Sequence, residues 1–164
     1  MIRECANKDL DQVLEIINQA AIAYRGKIPE DCWHQPYMPV EYLESEIQDG
    51  VDFFGFAIGP CLLGVMGIQE REGATLIRHA YVLPREQGKG IGHRLLQHLI
   101  RSAKSPRILV GTWKSNDQAI RFYKNAGFKE LSHDKSMELL DRYWRLNKVH
   151  AEASIVLEKK KDGR

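Results

Sequence analysis

Two periods of apolar residues run along this chain, and the points where one gives way to the other outline its elements. Met1–Cys5 reads as a short strand. Leu10, Val13, Leu14, Ile17, Ala20, Ala21 and Tyr24 then recur at helical spacing, with Asp9 and Asp11 in the first turn, where the helix dipole favours carboxylates. Asn7 is placed as the cap of this helix and Gly26 as its stop. After a connection over residues 27–39, Pro39 opens a second helix, Val40–Asp49, ended by Gly50. Val51–Ile58, Leu62–Glu70 and Ala74–Leu83 read as a meander of three strands, the first pair joined at Gly59-Pro60. A helix follows with Ile91, Leu95, Leu96, Leu99, Ile100 and Ala103 on one face. Arg107–Thr112 is a strand of the buried type. Ser115 and Gln118 then form a capping box, Ala119, Ile120, Phe122 and Tyr123 an inner helix face, and Gly127 a stop. Phe128–His133 reads as a strand, Met137–Leu146 as a helix, and Ala151–Glu158 as the last strand. The order βααβββαβαβαβ predicts a single α/β domain with a mixed sheet.

The stretch LIRHAYVLPREQGKGIG, Leu76 to Gly92, carries the first candidate chemistry. A strand halts at Pro84, which cannot donate to a sheet ladder, and a turn with Gly88, Gly90 and Gly92 opens a helix. The first turn of a helix has N–H groups without internal partners, and its dipole favours negative charge. Glycines let a phosphate approach that backbone closely, and Lys89 adds a cation. The pattern is not a P-loop, because no GxxxxGK followed by Ser or Thr is present. Nor is it a dinucleotide fingerprint: the spacing is GxGxG, and the region about 20 residues beyond is the apolar run Ile108–Val110 rather than an acid.

What does fit is Gln87-x-x-Gly90-x-Gly92 after a strand ending Val82-Leu83-Pro84, followed one strand later by Asn116-x-x-Ala119-x-x-Phe122-Tyr123-x-x-x-Gly127-Phe128. Together these resemble the two signatures of the GCN5-related N-acetyltransferase (GNAT) superfamily. The resemblance implies a mixed, mostly antiparallel central sheet flanked by helices, with acetyl-CoA as cosubstrate. It implies that Gln87, Gly88, Lys89, Gly90, Ile91, Gly92 and His93 hold the pyrophosphate, and that Ala80, Tyr81 and Val82 offer a backbone edge to the pantetheine arm. A splay or bulge there would free an N–H for the thioester oxygen. It also implies that Tyr123 protonates the departing thiolate, its ordinary pKa near 10 keeping it protonated at neutral pH. Asn116 is a candidate donor to the pantetheine arm. The plainer readings are a core aromatic for Tyr123 and a solvent-facing residue for Asn116.

No general base stands out. Some members of the superfamily carry a Glu or His nine or eleven residues before the Gln87 position, and here those positions are Arg78 and Leu76. His79 is adjacent, but strand alternation points it away from the face of Arg78. Glu70, Glu72 and His34 are the other candidates. Arg78, if it faces the cleft, can bind a substrate carboxylate, or it can pair with a nearby acid. In this fold the segment Tyr24–Tyr42 covers the acceptor side, so Trp33 and His34, with Tyr37 and Met38, are candidate substrate contacts or ordinary packing. Glu41, Glu44 and Glu46 read as a solvated helix face.

Composition narrows the class. At 164 residues, 43% hydrophobic and 28% charged, the chain is a soluble globular domain of ordinary size. A net charge of +2, mixed along the chain, argues against nucleic acid as partner. Cys5, Cys32 and Cys61 have no CxxC or Cys/His ligand spacing, which suits a reducing cytoplasm and argues against a metal site. No apolar run approaches the length of a membrane span, and the N-terminus lacks a signal-peptide pattern. The domain is bounded at residues 1–158, with 159–164 expected as a disordered basic tail. The function expected is transfer of acetyl from acetyl-CoA to a primary amine of a small molecule (amino-acid-like, antibiotic or polyamine) in a ternary complex. A protein N-terminal or lysine amine, and a CoA-binding module without catalysis, stand as the alternatives. A homodimer built through Met137–Leu146 or the last strand is a further expectation.

Overall fold

The computed structural model describes residues 1–161. Its elements run β1 (Ile2–Glu4), α1 (Leu10–Ala21), α2 (Val40–Gln48), β2 (Val51–Ile58), β3 (Cys61–Arg71), β4 (Ala74–Val82), α3 (Ile91–Ser102), β5 (Arg107–Trp113), α4 (Asp117–Asn125), β6 (Lys129–Glu130), α5 (His133–Leu139), α6 (Lys148–Glu152) and β7 (Ser154–Lys160). A π turn, Leu140–Trp144, continues α5. The strands form one sheet in the order β1-β2-β3-β4-β5-β7-β6. Every pairing is antiparallel except β4 with β5. This is the mixed, mostly antiparallel sheet that the element order and the resemblance predict.

One face of the sheet is a continuous core. α3 places Leu95, Leu96 and Leu99 against Met66, Ile77, Ile108 and Val110, and α4 adds Tyr123. Each of those leucines is fully buried, which contributes about 1.5–3 kcal/mol apiece. The other face is divided. Val13, Ile16 and Ile17 of α1 and Leu43 of α2 pack on β2 and β3, while Leu139, Leu140 and Ala151 pack on Leu76, Leu109 and Val156. The seam between these two clusters crosses β4, and the candidate site opens there.

Several local expectations are corrected. Asn7 does not cap α1; Asp9 turns back instead, accepting from the Ala6 N–H at 2.7 Å and from both Arg3 guanidinium nitrogens at 2.8 and 2.9 Å. The cap of α4 is Asn116, whose side chain accepts from the Ala119 N–H, while Ser115 Oγ donates to the Lys27 carbonyl. The strand expected over Phe128–His133 shrinks to Lys129–Glu130, because Ser132 already caps α5 through the Lys135 N–H. α6, capped by Asn147, occupies the start of the predicted last strand, which begins only at Ser154. That strand runs on to Lys160, and Lys161 Nζ donates to the carbonyls of Arg101 and Ala103, so the boundary at Glu158 falls inside β7. Residues 162–164 of the expected tail lie outside the described residues.

Candidate active site

β4 and β5 pair only from Thr75 to Ile77 against Ile108 to Val110, and then part. On its other side β4 carries a bulge: Val65 opposes Tyr81 but Gly67 opposes Arg78, so His79 and Ala80 together face Met66. His79 takes φ of +53°, a left-handed conformation that costs a non-glycine residue about 1–3 kcal/mol. Beyond Ile77, therefore, the β4 backbone has ladder partners on β3 alone, and its other edge is free of β5. The strand ends as expected at Pro84, inside a single 3₁₀ turn.

The glycine turn then leads into α3. Gly88 and Gly90 have φ of +80° and +85°, and a Cβ at either would meet nothing within 4 Å, so the turn needs glycine for its backbone angles and not for packing. Gly90 caps α3 without a side-chain hydrogen bond, which leaves the first-turn N–H groups of Ile91, Gly92 and His93 without a helical partner. Gln87 Nε2 donates to the Val82 carbonyl at 3.1 Å, fastening the turn to the strand. Lys89 is engaged by Glu86 at 2.8 Å on an exposed surface.

A cavity of about 370 Å³ fills the seam over β4. Ala80 and Tyr81 line it, as do Gly111 and Thr112 of β5, but Val82 and the turn from Gln87 to His93 are not among its walls. The side chain of Tyr123 is buried between the rings of Phe122 and Phe128, with centroids 5.1 and 5.6 Å away. Among the described residues no buried side-chain nitrogen or oxygen lacks a partner and the Tyr123 hydroxyl has no hydrogen-bond partner, so it opens onto the cavity. Burial, with the nearby Tyr24, pushes this phenol well above its ordinary range and keeps it protonated. Tyr24, Tyr37 and Tyr81 gather on another wall, Tyr24 lying 5.6 and 6.3 Å from the other two, and burial raises all three. Asn116, whose side-chain oxygen caps α4, lines the same cavity.

Arg78 and His79 meet on one acid, Glu46 of α2. Arg78 Nη2 lies 2.8 Å and His79 Nε2 2.6 Å from Glu46 Oε1, and Arg78 Nη1 donates to Gln69 Oε1 at 2.9 Å. Two expectations fall here. Alternation does not hold His79 away from Arg78, because the bulge turns the strand between them; and Glu46, 7% exposed, is no part of a solvated face, although Glu41 and Glu44 are exposed. Burial opposes ionisation of Glu46, but the hydrogen bonds and charges of His79 and Arg78 outweigh it and hold its pKa below the usual value. Burial, helped by the Arg78 charge, depresses His79, so it is neutral at pH 7 and its Nε2–H donates to the carboxylate.

The Acetyltransferase (GNAT) family model matches residues 11–128 of this chain. The chain belongs to the GNAT family. It is an acetyl-CoA-dependent N-acetyltransferase. In sequence it is similar to the N-alpha-acetyltransferase RimI of Mycobacterium tuberculosis, 28% identical over 71% of this chain and 72% of that protein. In structure it is similar to the PaiA N-acetyltransferase of Thermoplasma acidophilum, solved with coenzyme A, at a TM-score of 0.75 and 20% identity over 98% of both chains. The ribosomal-protein-S18-alanine N-acetyltransferase of Escherichia coli has a TM-score of 0.72 at 18% identity, over 100% of this chain and 95% of that one.

Within this GNAT domain the remaining candidates separate. His34 lines the cavity, with Nδ1 2.7 Å from the Pro36 carbonyl, whereas Trp33 stacks on Tyr37 and lines a different depression with Asn18 and Ile22. Glu70 accepts from Thr75 and from the Lys104 N–H, Glu72 sits at the exposed β3–β4 turn, and Leu76 is fully buried, so none of the three reaches the cavity. Reasoning from the sequence missed Glu46, Trp144 and His150. Glu46 had a readable signal, since it stands three residues after Leu43 and so shares its helix face. Trp144, 5.9 Å beneath the Arg78 guanidinium, and His150, stacked on Trp113 at 4.3 Å, belong to segments whose placement no local pattern announces.

Proposed function

We propose that this GNAT enzyme acetylates a small primary amine by direct transfer from acetyl-CoA. The pyrophosphate is held at the uncapped start of α3 by the N–H groups from Gln87 to His93, and the pantetheine arm lies along the free edge of Ala80, Tyr81 and Val82, with Asn116 as a further donor. That edge supplies an N–H to the thioester oxygen as charge develops on it. The neutral amine attacks the carbonyl carbon, the C–S bond breaks, and Tyr123 gives its proton to the thiolate. The observation that carries this reading is the Tyr123 hydroxyl, protonated and open to the cavity that the freed β4 edge also lines.

The walls favour an amine on an aromatic or aliphatic body rather than an amino acid. Arg78 lines the cavity already paired with Glu46 and Gln69, which supports its pairing with an acid over a substrate carboxylate, and the acceptor side is walled by Tyr24, Tyr37, Tyr81 and Trp113. Thiol release from acetyl-CoA over a panel of arylalkyl amines, amino acids, polyamines and peptides tests it. Turnover is expected first with the arylalkyl amines; turnover of peptides alone moves the acceptor to a protein N-terminus. The likeness to RimI favours that second reading. Tight coenzyme binding with turnover of none of them sinks catalysis and leaves a CoA-binding module.

A further inference from the structure

We infer that His79 is the general base of this acetyl transfer and that Glu46 is its positioning residue, an inference that rests on the acetyl-transfer reading above. Three features of the structure lead to it. The Nε2–H of His79 is committed to Glu46 at 2.6 Å, so the second ring nitrogen, Nδ1, carries the lone pair. Nδ1 has no hydrogen-bond partner among the described residues, yet no buried side-chain nitrogen there is left unpartnered, so Nδ1 is open to the cavity that His79 lines. The ring is also clamped: Phe53 of β2 stacks on it at 5.9 Å, and Tyr42 of α2 meets it edge-on at 6.1 Å.

The electrostatics suit a proton acceptor. The charged groups facing His79 are Glu46 from α2 and Arg78 from its own strand; Phe53 from β2 adds none, and Tyr42 stays a neutral phenol, raised by burial and by Glu46. Burial holds the resting imidazole neutral, with Glu46 and Arg78 pulling in opposite directions, and Glu46 is in place to stabilise the imidazolium once it forms. The other histidines of the cavity lack such an acid: His34 turns Nδ1 to a carbonyl, and His150 lies flat on Trp113.

The acceptor arrives as an ammonium ion and loses one proton to His79 Nδ1. The freed lone pair forms the N–C bond, the C–S bond breaks, and the thiolate takes the Tyr123 proton. The second proton on nitrogen leaves for the Tyr123 oxygen, and His79 releases its own to water, so one proton is produced per amide formed.

The test is kcat/KM for the acceptor against pH, in the wild type and in His79→Asn, Glu46→Gln and His150→Gln, with coenzyme A affinity measured in each. Asparagine tolerates the left-handed backbone at position 79. The wild type is expected to lose activity on an acid limb that lies below the ordinary imidazole range, because a base whose pKa is depressed stays neutral down to lower pH. His79→Asn is expected to lose roughly 100-fold with a strongly basic alkylamine, to lose that acid limb, and to regain most of its rate with a fluorinated amine already neutral at pH 7. Glu46→Gln is expected to move the limb to lower pH with coenzyme affinity retained. Equal losses on both amines in His79→Asn, or a limb that disappears in His150→Gln instead, would overturn the assignment. A wild type that binds coenzyme A but turns over no amine removes the acetyl-transfer reading and the base with it.

Discussion

The glycine turn and the cavity over β4 are made of different material. At the turn, the proposed coenzyme end, the parts on offer are main-chain N–H groups, presented by Gly88 and Gly90, whose added Cβ would touch nothing, and by a helix start that no side chain caps. At the acceptor end they are side chains: Tyr24 and Tyr37 from the α1–α2 connection, Glu46 from α2, His79 and Tyr81 from β4, Tyr123 from α4 and His150 from α6. A site built on backbone tolerates most changes of side chain so long as its φ angles stay accessible. A site built from converging side chains is altered by almost any substitution, because each group is both chemistry and wall. The first end is suited to a cosubstrate shared by a whole family, the second to whatever one enzyme must select.

That contrast can be broken at either end. The largest effect is expected from Tyr123→Phe, which should lower kcat roughly 100-fold while coenzyme A affinity, read by calorimetry, stays put. A loss of affinity in place of rate would mean that Tyr123 serves the coenzyme end as packing. Next comes Gly90→Val: a β-branched residue at φ of +85° costs about 1–3 kcal/mol, so KM for acetyl-CoA should rise roughly tenfold with KM for the acceptor unchanged. If both constants moved together, the two ends would not be separable. Gln87→Ala removes one exposed hydrogen bond to the Val82 carbonyl, worth about 0.5–1.5 kcal/mol, and should raise KM for acetyl-CoA only about threefold. The smallest effect belongs to Trp33→Ala. Its ring lies outside the cavity, so both Michaelis constants should stay within about twofold; a clear rise in the acceptor's would return Trp33 to the substrate wall.

The geometry of the glycine turn was open to sequence reading for a physical reason. Strand, turn and helix start are consecutive between Leu76 and His93, and the glycine angles follow from steric rules that act within single residues. The resemblance allowed for a splay or bulge at this strand, and Pro84 stops the strand where expected.

The acceptor end was not. Alternation sends His79 and Arg78 to opposite faces, and only pairing with β3 reveals the extra residue that brings both to Glu46. The charge of Glu46 argued for solvent, and its burial depends on Arg78 and His79, which stand 32 and 33 positions away in sequence. Trp33 and His34 are neighbours in the chain, yet one faces the cavity and the other a separate depression.

By itself the sequence determined the family, the fold class and most of the order of elements, since each depends on periodicity, steric limits and spacing within about a dozen consecutive residues. Tertiary structure alone decided which acids and imidazoles share the cavity, because register, bulges and burial are set by distant partners and they shift a group's protonation as well as its position.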